Sequence, residues 1–250
     1  MVSPKLKLED GKPNSGIVML DVEFEHVNGW ATATLIDDRH AMTAAHNVVD
    51  MEDGCAKTVT ICRDSRVDPD GIDRRSVDIA IVHYGWAHSY LEQNDFAILR
   101  LSKPFPMDKI TPMMYRPTPI ESGPVAMTIY SFANDLPGMA NTSPPQLVES
   151  HGEAEYNSGS CLVCHNGGSV VGASGSPIVD MSGVVIAVHR GWTQSPNLIN
   201  EAVTIGYHGN DVEKFVQALD AYQSPVDDSE VVRGPTMMLQ ASPVIPLTWD

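Results

Sequence analysis

The sequence has little positive charge. Its 250 residues contain 16 lysines and arginines against 32 acidic residues, which gives a formal net charge of −16. Binding to a phosphate backbone requires clustered Lys and Arg, so we expect no nucleic-acid partner. No apolar run reaches the roughly 18–20 residues needed to cross a bilayer, and we expect no membrane partner.

The sequence also lacks the apolar core of a signal peptide in its first 14 residues. As written, it predicts a cytoplasmic protein, or a secreted one if a leader has been removed from it. Cysteines are few, and they form the two close pairs Cys55/Cys62 and Cys161/Cys164. Such pairs are compatible with local disulfides and with free thiols, so the compartment stays open.

Cys161 and Cys164, followed by His165, also resemble half of a zinc site, with the other cysteine pair as the remainder. We expect the two pairs to lie in different halves of the fold. The sequence therefore predicts no metal ion and no organic cofactor.

The rest of the composition is typical of a globular protein built from strands. With 42% hydrophobic residues, a chain of this length can bury roughly three-quarters of its unfolded surface. Its 19 Gly and 18 Pro favour many short strands over a helical bundle. The β-prone runs, bounded by turn residues, are 17–24, 31–36, 41–45, 58–62, 77–83 and 96–101, then 125–132, 146–156, 176–180, 184–189 and 201–207.

A proline-rich segment separates these runs into two groups. Residues 103–124 contain Pro at six positions, and the missing N–H groups favour an extended connection. We therefore predict a first β domain at 15–105 and a second at 120–210.

One helix is predicted over residues 211–222, with Asp211 as its N-cap. Its apolar stripe consists of Val212, Phe215, Val216 and Leu219. Residues 223–250 show little periodicity, and we expect a poorly ordered tail there.

Three segments carry the groups needed for acyl transfer to a serine: TAAH at 43–46, NDFAIL at 94–99 and GASGSP at 172–177. This chemistry needs a hydroxyl, a base that takes its proton and a carboxylate that orients the base. It also needs backbone N–H groups aimed at the oxyanion, which a glycine-flanked turn can expose. The candidate catalytic residues are His46, Asp95 and Ser174. Their order in the chain excludes an α/β-hydrolase, and Ser176 breaks the G-x-S-x-G pattern of that class.

Together the three segments resemble those of the chymotrypsin-like (trypsin-fold) serine proteases. The resemblance covers about residues 15–221 and includes GWATATLI before His46 and SKPF after the aspartate strand. It implies an all-β protein of two packed six-stranded antiparallel β-barrels with a C-terminal α-helix. His46 and Asp95 would lie on the first barrel and Ser174 on the second, and the backbone N–H groups of Gly172 and Ser174 would form the oxyanion hole.

Asp78 is an alternative to Asp95, because it also begins a strand-like run, DIAIVH. We prefer Asp95, since the run IVHYGW between the two aspartates resembles a strand that lies at this place in the family. Taken alone, Ser174 could be an ordinary turn serine and His46 a half-buried structural histidine. The three segments in the right order favour a catalytic triad.

Within the family, the segments around 146–156, 169–177 and 183–192 resemble the glutamyl endopeptidase branch. That branch has a histidine where His189 stands and a hydroxyl residue where Ser169 stands, both facing the acidic side chain before the scissile bond. Arg190 and Gly191 follow His189 and are further candidates for substrate binding.

The resemblance departs from the trypsin branch at three positions. Ala173 replaces the aspartate that receives a new N-terminal amine during activation, and Asn47 and Ala31 replace a pair of cysteines. The glutamyl branch uses a processed N-terminal amine as a further carboxylate partner, and its counterpart here would be the amine of Val2 after removal of Met1.

The sequence thus predicts a monomeric serine endopeptidase that cleaves polypeptides after Glu or Asp. One alternative is a protease of the same fold with small-apolar specificity, in which His189 only packs against the barrel. Another is a catalytically silent binding module on that fold.

Overall fold

The computed structural model describes residues 9–10, 15–64, 66, 68, 73–133, 145–193, 199–222 and 244–247. The strands in these residues are β1 (Glu9–Asp10), β2 (Ile17–Glu23), β3 (Asn28–Leu35), β4 (His40–Thr43), β5 (Val49–Asp50), β6 (Gly54–Cys55), β7 (Thr58–Cys62), β8 (Arg75–His83), β9 (Ala97–Leu101), β10 (Val125–Ala133), β11 (Gln146–Asn157), β12 (Leu162–His165), β13 (Pro177–Asp180), β14 (Val185–Thr193), β15 (Ile199–Thr204) and β16 (Val244–Leu247). The helices are α1 (Tyr84–Ser89) and α2 (Val212–Ala221), and short 3₁₀ turns occupy Ala45–Asn47 and Glu92–Asn94.

The strands form two closed barrels. In the first, the antiparallel order is β8-β7-β2-β3-β4-β9, and β9 pairs back with β8. In the second, the order is β11-β10-β13-β14-β15-β12, and β12 pairs back with β11. Strands β16 and β1 add to the outer edges of β8 and β11. The prediction of two six-stranded antiparallel barrels is confirmed.

Alternation of apolar and polar residues produces the barrel strands. In β2, Leu20 and Val22 are buried while Asp21 and Glu23 are exposed, because successive side chains of a strand point to opposite faces. A further apolar cluster lies between the barrels and beneath α2. It draws on both barrels and the helix, and includes Ile79, Ile81, Phe96, Ile98, Val188, Val203, Phe215 and Leu219.

Helix α2 was predicted with its N-cap and its buried face, and the structure confirms both. The Asp211 side chain accepts a hydrogen bond from the Lys214 N–H at 3.2 Å. Phe215 is buried and packs edge-to-face on Phe96, with ring centroids 5.5 Å apart. The C-terminal end of α2 is held by buried Arg100, which donates to the carbonyls of Leu219 and Tyr222.

Three parts of the fold differ from the sequence prediction or extend it. The run that begins at Tyr84 is a helix, because the His83 side chain accepts a hydrogen bond from the Gly85 N–H and ends β8. Strand β12 was not predicted at all. Of the predicted tail, residues 244–247 form β16, and the other residues lie outside the described part of the chain.

The four cysteines are all free thiols, two in the first barrel domain and two in the second. Burial raises the pKa of the Cys62 thiol to about 11.

Among the described residues, no helix is long and apolar enough to span a membrane.

Arg100 connects the first barrel to α2, because its guanidinium also binds the Asp78 carboxylate at 2.9 Å. Arg100→Met removes the donor to that carboxylate, the donor to the Tyr222 carbonyl and one of the two donors to the Leu219 carbonyl. We expect the free energy of unfolding to fall by about 3 kcal/mol. Chemical denaturation followed by circular dichroism measures this loss.

Arg74→Met is the matched control, because the Arg74–Asp21 pair is half exposed on both sides. Exposed pairs contribute about 1 kcal/mol or less, so the control should lose little stability. Equal losses in the two variants would contradict a structural role of the Arg100 contacts.

Candidate active site

The pairing of β4 with β9 brings His46 and Asp95 together. Thr43, at the end of β4, pairs with Ala97, at the start of β9. The chain leaves β4 through a 3₁₀ turn that contains His46, and it reaches β9 from a second 3₁₀ turn that ends just before Asp95. Two residues 49 apart in sequence therefore lie at the same edge of the first barrel.

Asp95 contacts His46 through both carboxylate oxygens. Oδ2 lies 2.7 Å from His46 Nδ1, and Oδ1 accepts the His46 backbone N–H at 2.8 Å. The Asp95 side chain is 1% exposed, whereas that of His46 is 25% exposed. A buried carboxylate thus fixes one ring nitrogen and leaves the other edge of the imidazole toward solvent. Asp78, the alternative carboxylate, contacts Arg100 instead.

The turn that carries Ser174 requires glycine at two positions. Gly172 and Gly175 have φ of +92° and +83°, a region that other residues rarely adopt. A Cβ on Gly175 would lie 2.1 Å from the carbonyl oxygen of Thr32. The glycines therefore provide both the backbone conformation and the close approach of the turn to the first barrel.

Only some of the backbone N–H groups in this turn donate hydrogen bonds. Those of Ala173, Gly175 and Ser176 donate to carbonyls of the second barrel domain at 2.8–3.0 Å. Within the described part of the chain, those of Gly172 and Ser174 donate to no acceptor. The two N–H groups predicted to form an oxyanion hole are thus the unused donors of the turn.

Thr32 on β3 connects the Ser174 turn to the first barrel, and no motif in the sequence pointed to it. Its N–H donates to the Ser174 carbonyl at 2.9 Å, and its hydroxyl donates to the Gly172 carbonyl at 2.8 Å. The same hydroxyl accepts the Phe132 N–H of β10 at 3.0 Å. Thr43 of the TAAH segment in turn donates to the Thr32 carbonyl at 2.8 Å.

A cavity of about 610 Å³ opens between the two barrels in front of this turn. Val22, Phe24 and Trp30 form its apolar side on the first barrel. Of the residues selected from the sequence, those in its wall are His46, Ser169, Gly172, Ser174, His189 and Gly191. No hydrogen bond joins Ser174 Oγ to His46 within the described residues, and catalytic pairs of this kind often tighten only when substrate binds.

His189 lies at the base of the cavity wall and is 2% exposed. Its Nδ1 is 3.0 Å from Nε2 of His165, a residue that sequence reasoning considered only as a zinc ligand. Burial is the largest cause that holds the pKa of His189 well below its usual range. Burial also lowers the pKa of His165 to about 3. Both rings are therefore neutral at ordinary pH.

Ser169 is half-buried and already has a polar partner. Its hydroxyl donates to Asn200 Oδ1 at 2.7 Å, and Asn200 Nδ2 donates to the Gly167 carbonyl at 2.7 Å. Asn200 was not selected from the sequence. It orients the hydroxyl of Ser169 beside the cavity.

Arg190 was predicted to bind substrate, and the structure gives it a different environment. It is absent from the cavity wall, and its guanidinium lies among the carboxylates of Glu201, Glu92 and Asp95. The cause is a shift in register: His189 pairs with Ala202 and Gly191 with Glu201, so Arg190 is an extra residue. Such a β-bulge redirects the side chain that it carries.

Two other sequence hypotheses concern groups outside this cavity. Within the described residues, no group of three or more His, Cys, Asp or Glu side chains is arranged to hold a metal ion. The amine proposed on Val2 lies outside the described residues.

Comparisons with known proteins agree with this geometry. A family model described as a trypsin-like peptidase domain matches residues 31–188. No curated protein matches the sequence significantly. Among solved structures, a Glu endopeptidase in complex with MPD aligns with a TM-score of 0.69 and 17% identity, over 88% of this chain and 96% of that one.

Two further structures have the same fold. The protease Anisep from Arthrobacter nicotinovorans aligns with a TM-score of 0.63 and 13% identity, over 79% of this chain and 93% of that one. Neuropsin, a serine protease of mouse brain, aligns with a TM-score of 0.63 and 16% identity, over 84% and 99%. The family match spans more than half of the chain and the structures share its double barrel, so this chain belongs to the trypsin-like peptidase family.

Proposed function

We propose that this protein is a serine endopeptidase that works through an acyl-enzyme at Ser174. The observation that carries the proposal is the contact between buried Asp95 and His46, which lines the same cavity as Ser174. The first barrel thus supplies the base and the orienting carboxylate that this reaction needs, and the second barrel supplies the hydroxyl.

In the proposed mechanism, His46 Nε2 takes the proton of the Ser174 hydroxyl as Oγ attacks the scissile carbonyl. The Asp95 carboxylate accepts the Nδ1–H of the imidazole, which fixes the tautomer and stabilises the imidazolium. His46 then gives its proton to the leaving amine. A water molecule, activated by the same imidazole, hydrolyses the acyl-enzyme and regenerates the serine.

The oxyanion of the tetrahedral intermediate would accept hydrogen bonds from the N–H groups of Gly172 and Ser174. Both are unused donors within the described residues, so they need no reorganisation to receive the developing charge. Each such donor typically contributes roughly 3–4 kcal/mol to transition-state stabilisation.

We also propose that cleavage follows Glu, and less efficiently Asp. Burying a carboxylate without partners costs several kcal/mol, so a pocket that accepts one must supply donors. If His165 Nε2–H donates to His189 Nδ1, the remaining Nε2–H of His189 is a donor for the substrate. Ser169 is a second donor once its hydroxyl turns from Asn200 to the substrate.

The net charge of −16 opposes acidic substrates at long range. Salt screens that field beyond about 8–10 Å, whereas the donors of the pocket act at contact. We therefore expect contact to decide specificity, with slower association at low salt.

The alternative of small-apolar specificity is favoured by one observation: His189 is 2% exposed and already hydrogen-bonded to His165.

Variants of the three proposed catalytic residues test the mechanism. Ser174→Ala and His46→Ala should each lower kcat by about 10⁶-fold, and Asp95→Asn by about 10⁴-fold, with the fold retained. Hydrolysis of a fluorogenic peptide with Glu before the scissile bond measures the losses, and circular dichroism checks folding.

Asp78→Asn is the matched control for Asp95→Asn, because Asp78 is bound to Arg100 and not to His46. It should lower the free energy of unfolding, and its loss of kcat should be smaller than that of Asp95→Asn. A greater loss of kcat in Asp78→Asn than in Asp95→Asn would show that the carboxylate has been assigned wrongly.

The proposed enzyme should need no cleavage at Gly16–Ile17. Ala173 has a methyl side chain that cannot bind a new amine, and Ile17 is already paired with Thr34 in the first barrel. A purified chain that begins at Met1 or Val2 should therefore react with a fluorophosphonate probe. Labelling that appears only after a cut before Ile17 would refute this expectation.

His189→Val tests the acidic specificity. Loss of the donor should lower kcat/KM for Glu substrates at least tenfold, which corresponds to roughly 1.4 kcal/mol, while Ala and Val substrates change little. The control is His151→Val, at an exposed histidine of β11 outside the cavity wall. It should leave kcat/KM unchanged for Glu substrates and for Ala and Val substrates. Equal losses on acidic and apolar substrates would support the small-apolar alternative.

A catalytically silent module would behave differently from either protease. It would show no turnover of any peptide and no labelling of Ser174 by the probe. Sequence-resolved cleavage of a peptide library separates all three possibilities in one measurement.

A further inference from the structure

Arg190 occupies an unusual position beside the His46–Asp95 pair. Its Nε lies 3.6 Å from Asp95 Oδ2, the same oxygen that contacts His46 Nδ1. Its Nη1 donates to Glu201 on β15 at 3.0 Å. Its Nη2 lies 3.3 Å from Glu92, in the 3₁₀ turn that precedes Asp95. One guanidinium thus contacts a carboxylate from each barrel in addition to Asp95.

The exposure of these groups decides which contacts matter. The side chains of Arg190, Asp95 and Glu201 are 14%, 1% and 9% exposed, whereas Glu92 is 56% exposed. Two carboxylates therefore share a buried region in which Arg190 is the adjacent cation. Burial raises the pKa of Glu201, and the charge of Arg190 acts against that rise. Arg190 Nε is itself buried and makes no hydrogen bond within the described residues.

We propose that Arg190 is a positioning residue for catalysis, which holds Asp95 toward His46 and opposes protonation of His46 by its charge. The proposal rests on the proposed function of His46 as the base. Like charges close together disfavour each other, so a cation beside Asp95 disfavours the imidazolium form of His46.

The titratable groups that contact Arg190 or His189, or that lie between Arg190 and His46, are on four elements. Asp95 and Glu92 lie at the second 3₁₀ turn, Glu201 on β15, and Arg190 and His189 on β14. His165 on β12 contacts His189 and is neutral at ordinary pH because burial lowers its pKa. Arg190 is largely buried and Glu201 is buried. They are the charged groups beyond Asp95 whose removal we expect to act on His46, in opposite directions.

The test compares Arg190→Gln, Arg190→Lys and Glu201→Gln by the pH dependence of kcat/KM and by ¹⁵N NMR titration of the His46 imidazole. In Arg190→Gln, we expect the acid limb of the kcat/KM profile and the His46 titration to move to higher pH. We also expect kcat to fall about tenfold with little change in KM. In Glu201→Gln, the His46 titration should move down. Arg190→Lys retains the charge and should restore the position of the acid limb.

The NMR titration does not require turnover, so the two proposals fail separately. A wild-type chain that neither hydrolyses peptides nor reacts with a fluorophosphonate would overturn the proposed function, whatever the titrations show. An identical His46 titration in the wild type, Arg190→Gln and Glu201→Gln would overturn the role of Arg190 even in an active peptidase. If Arg190→Gln does not fold, Arg190→Met is the second neutral variant: an upward shift of its His46 titration supports the proposal, and an unchanged titration contradicts it.

Discussion

The hydrogen bonds of Thr32 are the constraint on which the rest of the site depends. His46 and Asp95 belong to one barrel and Ser174 to the other. The three side chains therefore meet only if the two barrels keep a fixed position relative to each other. The N–H and hydroxyl of Thr32 bind the carbonyls of Ser174 and Gly172 at 2.9 and 2.8 Å. One such bond contributes only about 0.5–1.5 kcal/mol of stability, but a misplacement of about 1 Å can cost a hundredfold in rate.

Two arginines give two aspartates different surroundings. Arg100 binds Asp78 and the end of α2, which connects the first barrel to the helix. Arg190 lies beside Asp95, whose carboxylate holds His46. The sequence presents both aspartates at the start of similar apolar runs. What distinguishes them is the partner that the fold brings to each: a guanidinium and helix carbonyls for one, an imidazole for the other.

Much of this arrangement could be predicted from the sequence. The apolar runs predicted most barrel strands, and Asp211 with its apolar stripe predicted α2, because both signals are local. The pairing of His46 with Asp95 agrees with the order and spacing of short segments. These features depend on neighbouring residues or on motifs that act as a unit.

The remaining features depend on contacts between distant residues. Thr32 and Gly172 are 140 positions apart, and nothing near Thr32 in the sequence indicates that contact. Arg190 was predicted to face substrate because it follows His189, but an extra residue in β14 turns it toward Asp95. Strand β12 was not predicted either: its Cys164 and His165 were considered only as metal ligands, whereas His165 packs against His189.

Covalent trapping of the acyl-enzyme is the most direct test of acyl transfer to Ser174. The chain is mixed with a nitrophenyl ester of an acyl amino acid, quenched in acid within the first turnover and digested for mass spectrometry. We expect one acyl group on the peptide that contains Ser174, slower acylation in Asp95→Asn and no adduct in Ser174→Ala. An adduct on another residue, or turnover that persists in Ser174→Ala, would contradict it.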